Sequence, residues 1–140
     1  MGKYLDKWVK AKSGARNPRT IEHYKRFLDD HVRPTLAGQR LDQPSLLDIE
    51  KLYADIRERA SAYTVAHTHR VLHAALEQAV KWRYLPHNPA HGAVVPAEPR
   101  RAMCVLTAQQ ASALRKKLEE KPRGFLYAFT LATGMRPGEV

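Results

Sequence analysis

The spacing of apolar residues is the feature that most limits the folds open to this chain. Up to about residue 83, apolar side chains recur every three or four positions, which is the period of an amphipathic helix. No run in this stretch shows the two-residue alternation typical of a half-buried strand. The intervals between the helical runs are short, so consecutive helices have to pack against one another. The sequence therefore predicts an all-α fold that begins with a compact bundle of four helices.

Residues that favour helix ends place the limits of these four helices. Asparagine and serine are good N-cap residues, and proline is favoured at the first helical position. Asp48, three residues after Ser45, completes the pattern of a capping box. The predicted helices are a first that ends near Gly14, a second from Asn17-Pro18 to about Arg33, a third that opens at Ser45, and a fourth from about Thr64 to Arg83.

A change of composition separates this bundle from the rest of the chain. Four of the nine prolines lie between Pro86 and Arg101, a stretch without apolar periodicity. Such a stretch is typical of a semi-rigid linker at a domain boundary. We therefore predict a helical domain over residues 1–91, a linker over 92–106 and the beginning of a second domain over 107–140.

Two further helices are predicted after the linker. Thr107 and Gln110 form a second capping-box pattern, which opens a helix that ends near Lys121. The next helix, from about Gly124 to Thr133, is nearly all apolar. Two helices alone cannot bury that much apolar surface. Residues 107–140 are therefore expected to open a larger domain.

The charge balance points to an anionic partner. Lys and Arg number 24 against 14 Asp and Glu, which gives a net charge of +10 and favours nucleic acid over membrane. No apolar run approaches the length that crosses a bilayer. Cys104 is the single cysteine, which excludes a disulfide framework and a cysteine-based metal site within these residues and fits a reducing cytoplasm.

The last ten residues place an arginine on a tight turn. Gly134 suits the left-handed turn that ends a helix, and Pro137 suits the start of another. Arg136 between them would have its guanidinium held in place, which suits a pair of phosphate oxygens. A surface arginine on a helix corner fits the spacing at least as well, with Glu139 supporting the turn.

This stretch, Ala132-Thr-Gly-Met-Arg-Pro-Gly-Glu-Val140, resembles the first catalytic-arginine box of the tyrosine recombinases, the phage-integrase family. The likeness extends towards the N-terminus. Asn17-Pro-Arg-Thr20 resembles the start of the second helix of that family's core-binding domain, and Asn88-Pro-Ala90 resembles the exit from its last helix. Thr107 lies where the family's catalytic domain opens.

The resemblance implies a SAM-like four-helix core-binding domain that binds double-stranded DNA, followed by the first two helices of a catalytic domain. Members cleave and rejoin DNA through a phosphotyrosyl intermediate, without metal or cofactor, as tetramers on DNA. Arg136 would be a catalytic phosphate ligand. The nucleophilic tyrosine and the later catalytic boxes lie beyond the matched part, so residues 1–140 alone are not expected to cleave DNA.

In the family, the starts of the second and fourth helices lie against DNA, and the linker crosses the duplex. The residues that these positions suggest as DNA ligands are Arg19, Thr20, His23, Lys25, Arg26, Thr64, His67, Arg70, Arg100 and Arg101. Four of them have other plausible roles. Thr64 could equally cap its helix, Arg19 could be a solvated surface residue, and Arg100 and Arg101 could only keep the linker soluble. His69 and His73 have a spacing that suits a metal, but no third ligand is in sight.

A second function is also compatible with the sequence. A non-catalytic helical adaptor could use the same basic face to bind DNA or a protein partner. A downstream His-x-x-Arg motif followed by a tyrosine would favour the recombinase, and their absence would favour the adaptor.

Overall fold

The structure, a computed structural model, describes residues 1–97, 104–136 and 138–139. All regular elements in these residues are helical, which confirms the predicted all-α class. The chain divides into two compact units, Met1–Pro99 and Arg100–Val140. We refer to them as unit 1 and unit 2.

Unit 1 contains a helical bundle. Its elements are α1 (Gly2–Ser13), α2 (Pro18–Phe27), a π-helical turn (Leu28–Val32), α3 (Arg33–Leu36), α4 (Leu46–Arg59) and α5 (Ala62–Lys81).

The predicted caps of α2 and α4 are confirmed. The Asn17 side chain accepts a hydrogen bond from the Arg19 backbone N–H at 3.0 Å, and Pro18 is the first helical residue. Ser45 and Asp48 form the complete capping box at the start of α4. These caps satisfy backbone N–H groups that have no partner within their own helix.

The second helical run differs from the prediction at its C-terminal end. It continues past Arg33 to Leu36, but it widens into the π-helical turn before Pro34. Proline has no N–H to donate, and its ring clashes with the carbonyl four residues earlier, here that of Asp30. A wider turn relieves that clash without ending the helix.

The start of α5 also differs from the prediction. The helix begins at Ala62, two residues before Thr64, because Ser61 is the N-cap. The Ser61 side chain accepts from the Thr64 backbone N–H at 3.3 Å. Thr64 therefore lies inside the first turn of the helix.

The core of unit 1 lies between α1, the π-helical turn, α4 and α5. Trp8 is fully buried and stacks on Tyr24, with ring centroids 5.4 Å apart. The Tyr4 hydroxyl donates to the Ala75 carbonyl at 2.6 Å and ties α1 to α5. The largest fully buried aliphatic residues are Leu5, Leu28, Leu36, Ile49, Leu52, Ile56, Leu72 and Leu76.

The chain that leaves α5 stays attached to the bundle. The Asn88 side chain donates to the His73 carbonyl at 3.2 Å and to the Glu77 carboxylate at 3.1 Å. Further on, Ala93 and Val95 pack against the core. Part of the proline-rich stretch is therefore held on unit 1.

Replacement of a core leucine on α5 should strongly destabilise unit 1. Leu72 is fully buried, so Leu72→Ala should lower the free energy of unfolding by about 2 to 5 kcal/mol, since it leaves a cavity. Urea unfolding followed by circular dichroism measures the change. Leu47→Ala is the control, because Leu47 is 58% exposed, and it should have little effect. Equal losses in the two variants would contradict the assigned core.

Unit 2 contains α6 (Ala108–Glu119) and α7 (Gly124–Thr133). The predicted capping box of Thr107 and Gln110 is confirmed. The turn between the helices is tight, because a Cβ atom at Gly124 would lie 1.5 Å from the Leu118 carbonyl oxygen. Only glycine fits there.

Candidate nucleic-acid interface

The structure brings the start of α5 against α2. His67 on α5 contacts His23 edge to face, with ring centroids 5.7 Å apart. It also stacks on Phe27, with centroids 5.5 Å apart, and lies 4.1 Å from the ring of Tyr63. We refer to His23, Phe27, Tyr63 and His67 as the aromatic cluster. The aromatic cluster therefore connects the second and fourth predicted helices, whose starts the sequence suggested as DNA-binding positions.

A cleft of about 370 Å³ lies beside the aromatic cluster. Its walls combine aromatic rings, one arginine, one carboxylate and two hydroxyl groups. The lining residues are His23, Arg26, Phe27, Asp30, His31, Ala60, Tyr63 and Thr64.

Three arginines that were predicted to bind DNA are exposed in or near the cleft and the aromatic cluster. Arg19 lines a shallow depression of about 390 Å³ at the start of α2, together with Asn17, Thr20 and His23. The Arg26 side chain is 78% exposed and lies 3.6 Å from Asp30. Arg70 is exposed and contacts His67. Exposed ion pairs such as Arg26–Asp30 are weak, so Arg26 can exchange its partner for a phosphate.

The first backbone N–H groups of α2 are largely occupied. Besides the Arg19 N–H, the Thr20 and Ile21 N–H groups donate to the Asn17 carbonyl at 2.9 and 3.2 Å. The start of α2 is therefore a poor source of backbone N–H groups for a phosphate. In the structure, side-chain guanidinium and imidazole groups are the available donors on α2.

Lys25 does not join the other predicted ligands. It lines a separate groove between α1 and α2, together with Asp6 and Asp29. Helical spacing places Lys25 on the side of α2 that faces α1, whereas His23 and Arg26 lie on the side that lines the cleft.

Thr64 lies in the first turn of α5 and does not cap the helix, because Ser61 is the N-cap. Its hydroxyl lies 3.2 Å from the Ser61 hydroxyl, and Thr68 donates to the Thr64 carbonyl at 2.9 Å. The side chain is partly exposed and lines the cleft. The capping role considered for Thr64 is therefore wrong, and its role as a DNA ligand stays a prediction.

Tyr63 and His31 are among the lining residues that were not predicted as DNA ligands. Tyr63 lies directly before Thr64, and His31 lies four residues after Phe27, whose ring it contacts at 5.8 Å. Burial lowers the pKa of His31, with Arg59 and Arg26 acting in the same direction and Asp30 opposing them. The helical spacing from His23 was the available signal for His31.

His69 and His73 lie further along α5 and belong to the packing of the bundle. The Tyr53 hydroxyl lies 2.9 Å from His69 Nδ1, and burial lowers the pKa of His69. Within the described ranges, no group of three or more His, Cys, Asp or Glu residues is arranged to hold a metal ion.

Arg136 lies on the turn after α7. Gly134 adopts the left-handed conformation at φ 69°, and its N–H donates to the Thr130 carbonyl at 2.9 Å. The Arg136 side chain is 86% exposed, and Glu139 contacts both its backbone N–H at 2.8 Å and its guanidinium at 3.4 Å. Glu139 thus supports the turn as expected.

Three residues of the sequence-based site lie outside the described residues. They are Arg100 and Arg101 of the linker and Pro137 of the arginine turn. In the part of the chain that the structure describes, no helix is long and apolar enough to cross a membrane.

Comparison of the chain with protein-family models, with curated proteins and with solved structures gave no match.

Proposed function

We propose that this chain is the N-terminal part of a site-specific tyrosine recombinase, and that unit 1 binds core-site DNA. The observation that carries the proposal is the meeting of the start of α5 with α2. His23 and His67 are in ring contact there, and Arg19, Arg26 and Arg70 are exposed around them. We refer to these five residues as the basic face.

The chemistry of the basic face suits a duplex backbone. Guanidinium groups form paired hydrogen bonds with phosphate oxygens, and contacts of this kind supply most of the affinity for DNA. The exposed side chains can reorient towards successive phosphates. The net charge of +10 favours the approach of DNA over longer distances.

The recombinase assignment rests on the arginine turn and on the residues that resemble the family. In the proposal, residues 1–91 form the SAM-like core-binding domain, and residues 107–140 open the catalytic domain. Arg136 contributes a phosphate ligand to a site that the rest of the intact protein completes. That protein cleaves and rejoins DNA through a tyrosine and assembles as a tetramer on its sites.

A specific observation also fits the second candidate, a non-catalytic adaptor. The apolar face of α7 is open: Phe125 is 71% exposed and Tyr127 is 62% exposed. A groove of about 560 Å³ between α6 and α7 is lined by Leu114, Leu118 and neighbouring residues of α7. A protein partner could cover this surface in an adaptor, whereas further residues of the same domain would cover it in a recombinase.

Removal of three charges from the basic face should abolish most DNA binding. The variant Arg19→Gln, Arg26→Gln, Arg70→Gln should bind a duplex at least about a hundredfold more weakly than the wild type at low salt, because each lost phosphate contact lowers the affinity. Fluorescence anisotropy with a labelled duplex of about 30 base pairs measures this.

The matched control removes three charges elsewhere in unit 1. Lys3, Lys51 and Lys81 are exposed and do not line the cleft. Lys81 lies about 21 Å along α5 from His67, beyond the Debye length of roughly 10 Å. Changing these lysines to glutamine should weaken binding less than about fivefold. Equal losses in the two triple variants would refute the assigned face.

A further inference from the structure

The end of α4 carries two arginines that were not predicted as DNA ligands. Arg57 and Arg59 lie in its last turn, and both residues are exposed. Arg57 Nη1 donates to the Ala60 carbonyl at 3.3 Å, and Arg59 Nε donates to the Asp55 carbonyl at 3.1 Å. Among the described residues, no ion pair joins either guanidinium to a carboxylate. Their two positive charges are therefore not neutralised by a carboxylate contact there.

This end of α4 lies beside the cleft of about 370 Å³. Ala60, which directly follows Arg59 and accepts from Arg57, lines the cleft. Burial lowers the pKa of His31, another lining residue, and the positive charge of Arg59 adds to this shift. Arg26 of α2 acts on His31 in the same direction. Arginines from α2 and from the end of α4 therefore lie around one cleft.

The charge around the cleft is mainly positive. Arg26, Arg57 and Arg59 contribute three positive charges, whereas Asp30 is the one carboxylate among the described lining residues. Asp30 lies 3.6 Å from Arg26 in an exposed ion pair, and such pairs are weak. An anion at the cleft is therefore attracted by both α2 and α4.

We propose that Arg57 and Arg59 bind phosphates of the DNA backbone, so that the interface extends from the basic face across the cleft to the end of α4. This inference rests on the proposed function. Phosphates follow one another along each strand at intervals of about 3.4 Å of helix axis. A strand held by Arg26 therefore brings further phosphates towards α4.

The hydrogen bonds that the two arginines make in the structure do not prevent this contact. Each uses one nitrogen on a backbone carbonyl, whereas a guanidinium has five N–H donors. A phosphate also binds a guanidinium more strongly than a neutral carbonyl does, because both groups are charged. Since both residues are exposed, their side chains can turn to a phosphate without disturbing the core.

The test compares salt slopes of duplex binding, measured by anisotropy between 50 and 200 mM salt. The variant Arg57→Gln, Arg59→Gln should lose about two from the wild-type slope and bind at least about tenfold more weakly at 50 mM. The variant Arg57→Lys, Arg59→Lys should keep the wild-type slope, because lysine retains the charge. The lysine variant thus separates the loss of charge from a structural effect of losing arginine.

The matched control removes two charges away from the cleft. Lys51 is exposed and lies eight residues before Arg59, about 12 Å along the same helix. Lys81 is exposed on the last turn of α5. The variant Lys51→Gln, Lys81→Gln should change the slope by less than about one.

The outcomes distinguish the two claims. No salt-sensitive DNA binding by the wild type would overturn both this inference and the proposed function. If the Arg19/Arg26/Arg70 variant loses its slope but the Arg57/Arg59 glutamine variant does not, only the contact by α4 is overturned. Equal losses in the glutamine variant and in either the lysine variant or the Lys51/Lys81 control would overturn it as well.

Discussion

Raising the salt concentration from 50 to 200 mM should weaken duplex binding by the wild-type chain by about two to four orders of magnitude. The reason is that each phosphate neutralised by an arginine or lysine releases a counterion, and the logarithm of affinity falls with a slope of about 0.9 per contact. A handful of contacts around the basic face gives a loss of this size. Anisotropy across a series of salt concentrations, at fixed pH, measures the slope.

Sequence-independent binding is part of the same expectation. Phosphate contacts carry no base information, so duplexes of unrelated sequence should give similar slopes. A flat response to salt, or no binding at 50 mM, would contradict phosphate recognition by unit 1.

In the proposed recombinase, which would be an extended protein with residues past Val140, the second large effect concerns Arg136. Arg136→Ala should leave duplex binding nearly unchanged but lower the rate of covalent capture of DNA by about a hundredfold or more. Arg136→Lys should fail similarly, because lysine supplies the charge without the two-pronged donor geometry. A nicked suicide duplex traps the covalent adduct, and gel electrophoresis measures its rate of formation.

The matched control for Arg136 is Arg115 on α6. Arg115 is exposed and pairs with Glu119 at 3.9 Å, much as Arg136 pairs with Glu139. Arg115→Ala should capture DNA at the wild-type rate. Adduct formation at the wild-type rate by Arg136→Ala would mean that the turn after α7 is only a helix corner. No adduct from the extended wild-type protein would favour the adaptor.

The local signals that predicted the fold best were those with a backbone mechanism. The helix caps bind N–H groups that a helix start leaves unpaired, so they set the start of a helix independently of its tertiary packing. Examples are Asn17-Pro18, the Ser45 capping box and the Thr107 capping box. Two glycines lie at the limits of α7 for backbone reasons as well. Gly124 lies too close to the backbone of α6 to carry a Cβ atom, and Gly134 has a positive φ.

The helix limits that were predicted wrongly depended on which of several nearby residues takes a given role. Ser61 and Thr64 are both good N-caps, and Ser61 takes the role because the apolar face of α5 already begins at Ala62 and Val65. The π-helical turn was not predicted, because a proline such as Pro34 usually ends a helix. The wider turn becomes favourable only when Val32 and Leu36 are both buried in the bundle.

The candidate site was predictable in its residue types but not in its grouping. Arg19, His23, Arg26 and Arg70 lie on or next to one face, whereas Lys25 lies on another. Helical spacing shows that Lys25 lies on a different face of α2 from its neighbours. It does not show which face of α2 packs towards α1 and which lines the cleft. The contact between His23 and His67 joins residues 44 positions apart, and no local signal encodes such a pairing.

The most direct measurement of the central claim compares salt slopes for three proteins: the wild type, the Arg19/Arg26/Arg70 glutamine variant and the Lys3/Lys51/Lys81 glutamine variant. If the basic face contacts phosphates, the arginine variant should lose about three from the slope, about one for each removed contact. The lysine variant should keep the wild-type slope within about one, since its charges lie off the face. An unchanged slope in the arginine variant, or an equal drop in both variants, would contradict DNA binding through α2 and α5.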